Sequence, residues 1–160
     1  MENIEWVLQL IWRILPAYIA NAAPVAFVRK GHPIDFGKKM RDGNPIFGRG
    51  KTFEGFIVGV TAGTLIGLIQ SRVAASFMLA LGAMIGDLTG SFLKRRLGIR
   101  SSEPAPLLDQ VSFLIGAIAL SSILEAYSLE EVVVLILITI PLHLITNIFA
   151  YFMKLKKVPW

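Results

Sequence analysis

Five apolar runs, at residues 4–28, 53–71, 73–93, 107–127 and 132–153, dominate the chain. At about 1.5 Å rise per residue each is long enough, as a helix, to cross a hydrocarbon core of about 30 Å. In a chain of 160 residues, 54% of them hydrophobic, so much apolar helix cannot be buried inside a water-soluble domain. The fold class expected is an all-α polytopic membrane protein. One membrane-embedded domain is expected to occupy residues 1–160, with five transmembrane helices and two loops, 29–52 and 94–106.

The charges sort by side when the spans number five. Arg29, Lys30, Lys38, Lys39, Arg41, Arg49 and Lys51 fall in the first connection, Lys94, Arg95, Arg96 and Arg100 follow the third span, and Lys154, Lys156 and Lys157 lie in the tail. These fourteen of the sixteen Lys and Arg share one membrane face, which the positive-inside rule makes cytoplasmic. The other face receives Glu2, Glu5, Arg72, Glu125, Glu130 and Glu131, so the N-terminus is expected outside. The net charge of +5 therefore reports topology, and no nucleic-acid partner is expected. The first run is not read as a cleaved signal peptide, because Glu2 and Glu5 stand where a cationic flank would be needed. The absence of cysteine excludes disulfides and thiolate metal ligands.

Within the third run, Gly86-Asp87-Leu88-Thr89-Gly90-Ser91-Phe92-Leu93-Lys94-Arg95-Arg96 carries one carboxylate toward three consecutive cations. On a helix Asp87, Ser91 and Lys94 share a face, with Asp87 about 10 Å below Lys94. A carboxylate at that depth points to a wet cavity or a bound cation. Asp109 enters the fourth run at the same membrane face, after Pro104 and Pro106 interrupt the helix. Asn21, about 12 Å from Arg29 along the first helix, reaches a similar level and serves either the site or an interhelical hydrogen bond. His143 and Asn147 share a face of the fifth run, where a hydrogen bond to a neighbouring helix is the commoner role. Arg13 is expected to snorkel or to pair with an outer glutamate.

The first connection holds five glycines and two prolines in 24 residues, more than an idle link needs. Its Gly48-Arg49-Gly50-Lys51-Thr52 run lacks the first glycine of a P-loop, since Pro45 occupies that position, and no strand precedes it. The physics of phosphate binding still applies: close backbone approach at Gly50, a point charge at Lys51 and the positive end of the following helix. Glycines at steps of four, Gly55-Gly59-Gly63-Gly67 and Gly82-Gly86-Gly90, allow close helix packing, either between these two helices or with a second copy of the chain as a homodimer. Two carboxylates and a hydroxyl, without cysteine, favour a hard oxygen-liganded ion, so Mg²⁺ is expected at Asp87 and Asp109. Cations gathered around such an ion point to phosphoryl or nucleotidyl transfer between a soluble phosphate and a lipid.

Gly86-Asp87-Leu88, Ser91-Phe92-Leu93-Lys94-Arg95 and the later Asp109 resemble the signature of the membrane CTP:phosphatidate cytidylyltransferases, in which Ser-x-x-Lys-Arg is followed by an aspartate. Pro33-Ile34-Asp35-Phe36-Gly37-Lys38, Gly48-Arg49-Gly50-Lys51-Thr52-Phe53-Glu54-Gly55 and Asp109-Gln110 look more specifically like the archaeal CDP-archaeol synthases. The chain departs from the bacterial signature between Arg95 and Asp109, where the Lys-Asp and His-Gly-Gly steps are missing, and in having Gln110 after the aspartate. The resemblance implies a cell-membrane enzyme that transfers CMP from CTP to 2,3-bis-O-geranylgeranyl-glyceryl phosphate, releasing pyrophosphate. It implies catalytic roles for Asp87, Asp109, Lys94, Arg95 and Lys51, with Asp87 and Asp109 on the metal. Asp42, Gly43, Asn44, Arg49, Gly50, Lys51, Thr52, Ser91, Lys94 and Arg95 are then expected to seat CTP. Asn21, Asp35, Lys38, Lys39 and Arg96 remain for the lipid phosphate or the loop. The competing readings are a CTP-dependent polyprenol kinase, a small transporter and a non-catalytic membrane subunit.

Overall fold

A computed structural model of the chain describes residues 2–101, 103–105, 107–156 and 158–159. Pro106, expected to help break the helix before the fourth span, and Lys157, expected among the tail charges, lie outside the described residues. Five helices follow in order: α1 (Glu2–Phe27), α2 (Phe53–Ile69), α3 (Val73–Arg96), α4 (Leu108–Ser121) and α5 (Leu129–Phe152). Residues 4–27, 73–96 and 129–152 are long and apolar enough to cross a membrane, while α2 and α4 are shorter apolar helices.

The helix ends depart from the hydropathy boundaries for local reasons. α3 does not stop at Leu93 but runs through Lys94, Arg95 and Arg96, because these side chains are good helix formers and cations are favourable in a last turn. α4 ends six residues short of the expected 127. There the Ser121 and Ser122 hydroxyls donate back to Ile118 O at 3.3 and 2.6 Å, competing with the helical ladder. α5 starts three residues early because Ser128 and Glu131 form a reciprocal capping box. Thr52 caps α2, its Oγ1 accepting from Gly55 N at 3.1 Å.

The two glycine stripes are both filled within the chain. On α2, a Cβ at Gly59 would stand 2.7 Å from Ala20 O, and one at Gly63 would stand 2.6 Å from both Pro16 O and the Ala80 methyl, so this stripe receives α1 and α3. On α3, Gly82 and Gly86 meet the backbone of α4 at Gly116 and Ser112, and Gly90 meets the Ser112 side chain. The stripes therefore do not face each other, and a homodimer built through them has no open glycine surface to use. Close backbone approach replaces large side chains at these contacts. The core between α1, α3 and α4 is built on Ile14, Ala17, Leu79, Ala83, Phe113 and Leu114.

α5 is seated differently. It buries only Leu135 and Thr139, and Tyr18 OH shares a 2.8 Å hydrogen bond with Thr139 Oγ1. At the end opposite the long loop, Arg13 donates to Glu125 Oε2 at 3.3 Å and to Glu131 Oε1 at 3.0 Å, and lies 4.1 Å over the Tyr127 ring. Arg72 also pairs with Glu125. Arg13 thus pairs with acidic residues of the opposite face, as its depth implied.

The long connection between α1 and α2 is folded on itself. Ile34 N donates to Lys51 O at 2.9 Å and Phe53 N to His32 O at 3.0 Å, while Met40 N reaches Asn44 O at 2.9 Å. At its centre the buried Asp35 carboxylate accepts from Gly37 N, Phe47 N and Gly48 N at 2.9, 3.0 and 2.9 Å. Burial opposes ionisation there, but the Gly48, Phe47 and Gly37 amides outweigh it and hold Asp35 below its ordinary value.

Candidate active site

The loop delivers Lys51 to α3. Lys51 Nζ donates to Asp87 Oδ2 at 2.6 Å, where Asp87 projects from the helix one position after the tightly packed Gly86. The last turn of α3 delivers Lys94 to α4. Lys94 Nζ donates to both Asp109 oxygens at 2.8 and 2.9 Å and to Glu103 O at 2.8 Å. Asp109 also accepts from Ala105 N at 2.9 Å, which fixes the carboxylate at the start of α4. Both ion pairs are partly buried and share one cavity of about 1080 Å³.

Of the residues expected at the site, Lys51, Asp87, Lys94, Asp109, Arg49, Gly50, Thr52 and Asn21 line this cavity. The remainder stand around it. Ser91 is buried in the helix packing and does not line the cavity. Arg95 is buried beneath the loop, Nη1 donating to Ser101 Oγ at 3.2 Å, with its Nε unpaired. Gly48, at φ 101°, fits over this junction, and a Cβ there would meet Ser101 Oγ at 2.6 Å.

Asp42, Gly43 and Asn44 form a loop turn outside the cavity lining. Asp42 pairs with Arg96 at 2.8 Å, and Arg96 Nη2 also donates to Pro45 O at 2.6 Å, so Arg96 braces the loop against α3. Asp35 has the same bracing task from inside the loop. Lys38 and Lys39 are exposed and away from the cavity. Asp35 and Arg96 therefore answer to the loop half of their expected role.

Three cavity residues on or after α5 received no site role in the sequence: His143, Asn147 and Lys156. Asn147 Oδ1 accepts from Lys156 Nζ at 3.0 Å, and Asn147 Nδ2 lies 3.1 Å from His143 Nδ1. The four-residue spacing of His143 and Asn147 is visible in the sequence. Lys156 reads there only as a tail charge, because nothing local reveals that the chain turns back after α5. The cavity wall also contains Ala22 and Val25 of α1 and Leu142, Phe149 and Ala150 of α5. It therefore joins a charged floor to an apolar flank.

Among the described residues no group of three or more His, Cys, Asp and Glu side chains gathers as a ready metal cage. Two carboxylates in one cavity nevertheless suit an ion that completes its shell with substrate phosphates and water, which is the habit of Mg²⁺.

Bilayer-length apolar helices closing over a cavity of paired lysines and aspartates define a membrane-embedded enzyme for phosphate-bearing substrates. The model of the family described as CarS-like, CDP-archaeol synthase, matches residues 3–76 and 71–160. The CDP-archaeol synthase of Pyrococcus abyssi is 46% identical over 166 residues, covering 96% of this chain and 98% of that protein. That of Pyrococcus furiosus is 47% identical over 165 residues, and that of Methanocaldococcus jannaschii 41% over 169. A solved structure described as an intramembrane enzyme for archaeal membrane lipids biosynthesis is 42% identical, with a TM-score of 0.78 over 88% of this chain and 94% of the other. The chain belongs to the CDP-archaeol synthase family.

Proposed function

We propose that the chain transfers CMP from CTP to an isoprenoid ether-lipid phosphate, 2,3-bis-O-geranylgeranyl-glyceryl phosphate. The products are a CDP-archaeol-type lipid and pyrophosphate. The observation that carries this reading is the single cavity in which Lys51–Asp87 and Lys94–Asp109 meet beside an apolar flank of α1 and α5. Family membership with curated CDP-archaeol synthases supports it independently. We further propose that all five helices span the cell membrane, with the N-terminus outside and the cavity open to the cytoplasm. In the sequence, fourteen of the sixteen basic residues fall in the first connection, after the third span and in the tail, which supports that orientation.

An oxygen of the lipid phosphate attacks the α-phosphorus of CTP. A new P–O bond forms, the bond from that phosphorus to the α,β-bridging oxygen breaks, and its electron pair leaves with pyrophosphate. A phosphate monoester has its second pKa near about 6, so the nucleophile is already largely dianionic and needs no general base. Asp87 and Asp109 would hold Mg²⁺, which supplies charge neutralisation and alignment of the phosphates when bound. With the nucleotide bound, Lys51 and Lys94 would turn from their carboxylate partners to phosphate oxygens of the reacting and leaving groups. Arg49 adds a further cation, and the capped N-terminus of α2 at Thr52 favours negative charge. Arg95 acts from beneath the loop, where its charge is felt without surface exposure. Asp42, Asn44 and Ser91 shape this seat from outside the lining.

The reading is tested by incubating purified protein with CTP, the lipid phosphate and Mg²⁺ and identifying the products. Equimolar pyrophosphate and CDP-lipid are expected, with loss of both on chelation and recovery on adding Mg²⁺. Release of CDP with phosphate transfer would establish a kinase and overturn the proposal.

A further inference from the structure

Asn147 can be oriented from its two neighbours. The Lys156 ammonium has only donors, so the amide face toward it must be Oδ1, which accepts at 3.0 Å. The amide nitrogen then faces His143 Nδ1 at 3.1 Å and donates to it. A neutral imidazole that accepts at Nδ1 carries its proton on Nε2. Lys156 and His143 therefore both present donors, and Asn147 between them holds each in place. The Phe113 ring stacks on His143 with centroids 6.2 Å apart, fixing the imidazole plane from α4.

The chain is built to bring Lys156 back to this point. After α5, Lys154 adopts φ 58°, and Leu155 N and Lys156 N both donate to Ala150 O, at 2.9 and 3.2 Å. That reversal folds the tail over the end of α5 and makes Leu155, Lys156 and Val158 part of the cavity wall. Burial draws the Lys156 ammonium below its ordinary value; Asp109 opposes that shift, and Lys51 and Lys94 add to it. Lys156 is thus within electrostatic reach of both ion pairs.

Resting on the function proposed above, we infer that Lys156, Asn147 and His143 form a separate seat for the phosphate of the lipid substrate. The Lys51–Asp87 and Lys94–Asp109 pairs are left to the nucleotide. Three features favour this division. The donors lie on α5 and its tail, beside the apolar Leu142, Phe149 and Ala150 that suit isoprenoid chains. The three side chains contribute an ammonium, an amide and an imidazole, whose N–H groups are the donors that phosphate oxygens accept from. The last turns of α5 carry exposed Leu144, Ile145, Ile148 and Phe149, an apolar surface beside the three donors that suits lipid chains arriving sideways. Asn147 is a positioning residue here, while Lys156 and His143 touch the phosphate.

Both substrates carry phosphate, so the test must separate them. KM for lipid phosphate at saturating CTP, and for CTP at saturating lipid, are measured for the wild type, Lys156→Gln, Lys156→Arg and Asn147→Ala. Equilibrium binding of the lipid phosphate without nucleotide is measured in parallel. Lys156→Gln is expected to raise the lipid KM and weaken lipid binding about tenfold or more, with the CTP KM moving less than about twofold. Lys156→Arg should restore most of the loss, and Asn147→Ala should reproduce part of it. If the CTP KM rises while lipid binding is unchanged, or if neither moves, the inference is overturned. Should Lys156→Gln not fold, Asn147→Ala carries the same comparison, because it keeps the charge and removes its seat. A wild-type chain that binds the lipid phosphate through Lys156 yet forms no CDP-lipid would refute cytidylyl transfer and leave the seat standing.

Discussion

Lys51 Nζ and Asp87 Oδ2 stand 2.6 Å apart although 36 positions separate them in the chain. The contact ties the end of a glycine-rich loop to the interior of α3. It keeps a carboxylate neutralised at a depth where an unpaired charge would be expensive. The Lys94–Asp109 pair repeats the arrangement between α3 and α4. Each pair supplies one cation and one carboxylate to the same cavity.

Asp87→Asn keeps the shape and a hydrogen-bond acceptor for Lys51 but removes the negative charge. CMP transfer from labelled CTP to lipid is expected to fall at least about a hundredfold in kcat/KM. The size-exclusion profile in detergent should be unchanged. Retained transfer would remove Asp87 from the reaction.

Lys94 is buried, with its side chain only 10% exposed, so removing it leaves Asp109 facing an apolar replacement. Lys94→Met is expected to lower stability by about 1–3 kcal/mol, read as a lower Tm. Adding Asp109→Asn to it should recover most of that loss, because the uncompensated charge is gone, while activity stays absent. A double variant no more stable than the single one would show that the two side chains are not coupled.

Gly63→Ala would place a methyl 2.6 Å from Pro16 O and from the Ala80 methyl. Backbone cannot step aside as a flexible side chain can, so α1 must shift from α2, at a cost of about 1–3 kcal/mol. Gly50→Ala is the control for stability, since a Cβ there meets nothing within 4 Å and needs no unusual backbone angle. Thermal unfolding in one detergent compares them. Equal Tm values would contradict the close approach.

Asp35 is held below its ordinary 3.8 in the folded loop, its backbone donors outweighing burial. A depressed carboxylate contributes its stabilisation above the unfolded value and loses it as pH falls through the folded one. Protection of Phe47 and Gly48 amides from hydrogen exchange, corrected for intrinsic rate, is therefore expected to persist at neutral pH and to fade below about pH 4. Asp35→Asn should show the weakened protection already at pH 7. Unchanged protection in that variant would mean the loop is held by its backbone bridges alone.

Hydropathy and charge alone were enough to read five apolar helical segments, the side on which the cations collect, and Asp87, Lys94, Asp109 and Lys51 as the residues with chemistry to explain. That legibility has a simple origin: apolar length and an isolated carboxylate within it are local properties that lipid makes costly to violate. Contacts set by three-dimensional packing were not legible. The glycine stripe of α3 met Gly116 of α4 rather than the stripe of α2, because which helices become neighbours depends on the shape of every face at once. Asp35 and Arg96, expected at the lipid phosphate or in the loop, make their contacts within the loop, since a folded loop must satisfy its own amides and carbonyls before it can offer any side chain to a ligand. Lys156 became a wall of the cavity only because the chain reverses at Lys154, a left-handed turn at a residue type that gives no sign of it in sequence.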